Sequence, residues 1–129
     1  MNIDSYLYNK IVNSTLVSIY TTKCYPNYVP NSTNLTTNYI MYDSIGYEKN
    51  RNLQNKIFTI VSYSNSKNNV ELLNDALYTL FDNSTNYIKE MSSTLRIESC
   101  SIISNNVTNY DDTNLKWSRV LDISLWYFK

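Results

Sequence analysis

Asp111 and Asp112 are adjacent carboxylates within the polar stretch SNNVTNYDDTN, and such a pair could ligate a hard cation. A calcium or magnesium site needs more oxygen ligands than two, and no further carboxylate is spaced to join them, so the pair reads as a solvated turn. Cys24 and Cys100 lie far apart in a chain with no histidine, which leaves them short of the four clustered ligands of a zinc site. Without histidine there is no Ser-His-Asp or Cys-His arrangement either. The single glycine, Gly46, leaves no glycine-rich phosphate loop. The expectation is a protein with no catalytic residues, no metal and no cofactor.

Composition agrees with that reading. In 129 residues, eleven basic side chains balance eleven acidic ones. A net charge of zero argues against a dedicated nucleic-acid binder, which carries a basic face. The thirteen tyrosines could act as stacking platforms for bases, but they are not interleaved with Lys and Arg, so core and interface use is expected. No apolar run approaches the roughly 20 residues that span a bilayer. No apolar core follows a basic start, so synthesis in a cytoplasm, no membrane contact and reduced thiols are expected. The chain has twenty asparagines and only one alanine, a bias that A+T-rich codons explain. With so many Asn, Ser and Thr, the five Asn-x-Ser/Thr triplets at Asn13, Asn31, Asn34, Asn83 and Asn106 are close to chance and are not read as glycosylation sites.

The elements that must position any site follow from periodicity. DSYLYNKIVNSTL places Leu7 and Ile11 four apart, which predicts a helix over about 4–14 with Asp4 as its N-cap. LVSIYTTKC is β-branched and alternating and reads as a strand near 16–22. An irregular connection containing Pro26 and Pro30 leads to NYIMYDSI, a strand over about 38–45. GYEKNRNLQNK is a charged hairpin or loop, and the strand at 56–64 is apolar on both sides: Ile57 and Val61 point one way, Phe58 and Ile60 the other. Val70, Leu73, Leu77 and Leu80 then mark the clearest helix, 69–81, capped by Asn68. Its opposite face, with Glu71, Asn74, Asp75, Tyr78 and Asp82, reads as solvated. STNYIKEM adds a helical turn, TLRIESCSII a strand, SNNVTNYDDTN a loop. LKWSRVLDISLWYFK closes the chain as a strand with Leu115, Trp117, Leu121, Ile123, Leu125 and Tyr127 on one face. Trp126 and Phe128 break its polar face, the place where a protein partner would find aromatic anchors.

No linker or repeat divides the chain, so residues 1–129 are read as one domain. This order of elements, with its YI-Y strand, IFTIVSYS strand, VELLNDALYTLF helix and terminal LKWSRVLDISLWYF strand, resembles the tail terminator (tail completion) proteins of tailed bacteriophages and phage-like particles. The likeness spans nearly the whole chain but contains no invariant motif, and the low Gly and Ala content departs from it.

The resemblance implies an α+β fold, a mainly antiparallel sheet backed by two helices on one face, and a non-enzymatic virion protein at the head–tail junction, assembled in host cytoplasm. Copies would close into a ring, usually six-fold, that caps the tail, meets neck- or portal-side and tail-side proteins, and lets DNA pass through its lumen. A twelve-fold neck or tail-barrel ring, a baseplate adaptor and a small monomeric viral binding module stand as alternatives. On this reading one sheet face packs on the helices through Leu73, Leu77, Leu121, Ile123 and Leu125. The other carries Phe58, Ile60, Trp126 and Phe128 toward a neighbour, and the 46–56 excursion projects Glu48, Lys49, Arg51 and Lys56 toward the lumen or an axial partner.

Overall fold

A computed structural model describes residues 2–26, 38–50, 52–82, 90–92, 95–112 and 115–128; of these, the side chains of 47–50, 90 and 92 are not described. Helix α1 spans Ile3–Val12 and is capped by Asn2, whose Oδ1 accepts from the Ser5 amide at 2.7 Å. Asp4 is therefore a first-turn residue rather than the cap. The expected strand at 16–22 is replaced by a short helical turn, α2, Thr15–Ser18. Ser14 Oγ accepts from the Leu16 amide at 3.2 Å, and the turn sinks Val17 completely into the core. Local capping and one buried contact thus override the β-propensity of the segment.

The strands are β1, Cys24–Pro26; β2, Tyr39–Asn50; and β3, Leu53–Ser64. After them α3 runs over Lys67–Phe81, two residues earlier than periodicity suggests, because Ser66 rather than Asn68 is its cap, accepting from the Asn69 amide at 3.3 Å. Strands β4, Glu90–Ser92, β5, Leu95–Asn105, β6, Asn109–Asp111, and β7, Lys116–Phe128, complete the chain. SNNVTNYDDTN therefore contains a strand: Asp111 stands opposite Lys116. STNYIKEM lies mostly outside the described residues, and its Glu90 and Met91 are β-strand, not helix.

The seven strands form one sheet in the order β1-β2-β3-β7-β5-β4, with β6 paired to β7. Among the described residues only the β1–β2 pair is parallel. The α+β architecture with a mainly antiparallel sheet is as expected. The charged excursion is the end of a long β2–β3 hairpin, paired from Tyr39↔Tyr63 to Asn50↔Leu53.

The core lies between the helices and one sheet face. Tyr6, Leu7 and Ile11 of α1 and Leu73, Leu77 and Phe81 of α3 meet Ile40, Phe58, Ile60, Leu121, Ile123 and Leu125 in one cluster. Burying each large apolar side chain there contributes roughly 1.5–3 kcal/mol. Cys24 in β1 and Cys100 in β5 are buried free thiols. Four strand spacings separate them, on the order of 19 Å, far beyond disulfide reach. Burial pushes both up to about 12; for Cys100 nearby Lys10 acts weakly the other way.

Candidate assembly surface

The helix-free sheet face is built by alternate residues of the two central strands. Register pairs Ile57 with Ser124, Thr59 with Asp122, Val61 with Val120 and Tyr63 with Ser118 on that side. Ile57, Thr59, Val61 and Val120 are half-buried, the state expected of side chains screened by their sheet neighbours alone. At its centre Asp122 accepts from Thr59 Oγ1 at 2.7 Å and from Ser104 Oγ at 2.8 Å. Asn55, almost fully buried, donates from Nδ2 to Ser124 Oγ and to the Leu125 carbonyl. These bonds satisfy polar groups that neighbouring side chains shield from water.

One end of this face gathers aromatic rings. Tyr39 and Tyr63 stack with centroids 4.7 Å apart and planes at 12°. Lys116, only 7% exposed, donates to Asn65 Oδ1 at 2.6 Å and lies 5.9 Å from the Tyr39 centroid. Desolvation depresses the Lys116 pKa; burial, then Tyr63, then Asp111 raise that of Tyr39. At the same end but on the helix side, where register sets it opposite Ser64, Trp117 meets Tyr110 at 4.8 Å and takes Lys67 of α3 over its ring at 5.6 Å.

The opposite end holds two of the sequence candidates. Trp126 stands across from Asn55 and Ser99, and Phe128 across from Leu53 and Arg96. Both rings are half-buried. The Arg96 guanidinium sits 4.5 Å from the Phe128 centroid while its Nε meets Glu98 at 2.6 Å. The row Asn50–Leu53–Phe128–Arg96 runs across the sheet at the hairpin tip, so Trp126, Phe128 and the backbone of Glu48 and Lys49 share this end.

Phe58 and Ile60 do not belong to this surface. Register sets Phe58 opposite Ile123 and Ile60 opposite Leu121, on the helix side, and both are fully buried. The expectation that they face a neighbour is corrected: a two-sided apolar strand hides which side matches β7 until register is known. Lys56 also faces the helices, donating to Asp4 of α1 at 3.0 Å and lying 5.4 Å from the Phe58 centroid, which removes it from the projecting set. Arg51 lies outside the described residues, as do the side chains of Glu48 and Lys49.

Sequence reasoning missed Asn74, expected on the solvated face of α3. It is fully buried, donating to Asn105 Oδ1 at 2.9 Å. The signal was present: Asn74 is four residues after Val70 and three before Leu77, the centre of the buried stripe.

Among the described residues no three His, Cys, Asp or Glu side chains converge as a metal site, and no helix is long and apolar enough to cross a membrane. No protein-family profile matches the chain, and no curated protein matches it in sequence. Among solved structures, a chain from the virion of a native gene transfer agent particle superposes with a TM-score of 0.71. The alignment covers 98% of this chain and 95% of that one at 8% identity. The likeness is one of fold.

Proposed function

We propose that the protein is a non-enzymatic virion component, a ring-forming protein of the head–tail connection in a tailed phage or related particle. The observation that carries this reading is the fold shared, over nearly the full length of both chains, with a component of a gene transfer agent virion. A single compact domain with a helix-covered sheet face and an aromatic, helix-free face suits a subunit that is held by neighbours rather than one that turns over a substrate. On this reading the end carrying Trp126, Phe128 and the β2–β3 hairpin tip meets an axial partner on the neck or tail side. Six copies closing around a lumen through which DNA passes is the arrangement the tail-terminator resemblance supports.

Immunogold electron microscopy of particles made by the genome that encodes the chain tests the proposal. Label at the junction between head and tail is the expected result. Particles that lack the chain altogether would overturn a virion role.

A further inference from the structure

The two outer long strands of the sheet carry matching irregularities. In β2 the register jumps between Ser44, opposite Phe58, and Gly46, opposite Ile57, so Ile45 is an extra, unpaired residue. In β5 it jumps twice, between Ile97 and Ser99, so that Glu98 is extra, and between Ile102, opposite Ile123, and Ser104, opposite Asp122, so that Ile103 is extra. The bulges at Ile45 and Ile103 each leave an isoleucine in water, 60% exposed at Ile45 and 51% at Ile103. These two bulges flank the same row across the sheet, the one that contains Phe58 and Ile123, so the two isoleucines stand at nearly one height on opposite edges.

Among the described residues the backbone around them is open. Strand β1 covers β2 only along Ile40–Tyr42, and β4 covers β5 only along Leu95–Ile97. Among the described residues no strand pairs the outer side of Asp43–Glu48 or of Ser99–Ser104. These runs are also level: Asp43 shares a row with Thr59, Asp122 and Ser104, and Glu48 shares one with Asn55, Trp126 and Ser99. Three antiparallel steps separate β2 from β5, so the two edges run in opposite directions. Two copies in the same orientation therefore bring β2 of one beside β5 of the next as an antiparallel pair, the pairing used within the sheet. An open edge is a template for a further strand, and soluble proteins commonly protect one with a lysine or a proline rather than an exposed isoleucine at its middle.

We infer that copies of this chain join head to tail through these edges, the Asp43–Glu48 run of one subunit against the Ser99–Ser104 run of the next, with Ile45 and Ile103 in mutual contact. The occupant is a second copy because one chain supplies both halves at the same height and with the right polarity. Such a contact is heterologous, so it propagates around a ring instead of ending at a dimer. The inference rests on the ring reading above and names the surface that closes it.

The experiment is native mass spectrometry from micromolar to millimolar concentration on the unaltered chain, Ile45→Lys, Ile103→Lys and an equimolar mixture of the two variants. Both positions are exposed, so lysine leaves the core intact, and far-UV circular dichroism checks this. The unaltered chain is expected to form a closed oligomer and each variant to lose it. The mixture keeps one intact pair of edges and is expected to stop at dimers. Hydrogen exchange on the unaltered chain, needing no variant, is expected to slow at 43–48 and 99–104 as concentration rises. An unaltered chain that stays monomeric, a lysine variant that keeps the full oligomer, or edges without concentration-dependent protection would each overturn the inference. Junction labelling with any of these outcomes would leave the virion reading standing and remove only the edge contact.

Discussion

Phe58 stands directly opposite Ile123 at the centre of the sheet, and both side chains are fully buried under the helices. Truncating Phe58 to alanine leaves a cavity that the surrounding strands fill only in part, so Phe58→Ala is expected to lower stability by about 3–5 kcal/mol. Urea unfolding checks this. A loss below about 1 kcal/mol, typical of surface sites, would mean that the ring is not a core element.

On the other side of the same strands, Asp122 is shared by Thr59 and Ser104. Bonds to a charged acceptor contribute about 1.5–3 kcal/mol each before screening, and this carboxylate is only half-buried, so the lower end applies. Thr59→Val and Asp122→Ala are each expected to cost on the order of 1 kcal/mol, with a coupling of at least about 0.5 kcal/mol in the double-mutant cycle. Strict additivity in urea unfolding would show that the bond contributes nothing.

Much of this architecture is legible from residue spacing. The α3 stripe through Val70, Leu73 and Leu77 and the alternation of Leu121, Ile123 and Leu125 each carry a period that only one element satisfies. What spacing does not carry is register. Phe58 and Ile57 are both apolar, so the strand alone cannot say which faces Ile123; pairing with β7 decides it. Bulges are invisible for the same reason, since Ile45 and Ile103 read as ordinary strand residues until a partner strand skips them. The α2 turn escaped because Ser14 caps it locally inside a run whose composition favours strand, and β6 escaped because three residues carry no period.

The buried thiols give the fold an alkaline limit. Cys24 and Cys100 rise from 9.0 to about 12 by burial, and Tyr42 from 10.0 to about 12. The folded state therefore holds protons that the unfolded chain releases above about pH 9, so stability is full below that pH and falls as pH climbs toward 12. Denaturant midpoints measured at intervals from pH 7 to pH 11 are expected to drop above pH 9, and less steeply in a Cys24→Val, Cys100→Val chain. The same burial predicts that neither thiol reacts with a disulfide reagent at pH 8 until the chain unfolds. Rapid labelling of the folded protein would contradict the placement of both strands.

Asn74 offers the sharpest test of packing on α3. Its Nδ2 reaches Asn105, but its Oδ1 is buried without a hydrogen-bond partner among the described residues. Leaving a buried acceptor unmade costs about 1–3 kcal/mol, whereas an apolar side chain of similar size has no such group to satisfy. Asn105 is itself exposed, so water can replace the bond it loses. Asn74→Leu is therefore expected to hold or raise stability, and Asn74→Asp, which buries a charge in the same place, to lower it strongly. Thermal unfolding of the two variants in parallel reads the sign. A leucine variant less stable than the parent by more than about 1 kcal/mol, outside the range of a tolerated core exchange, would mean that the buried amide specifies how α3 seats on the sheet.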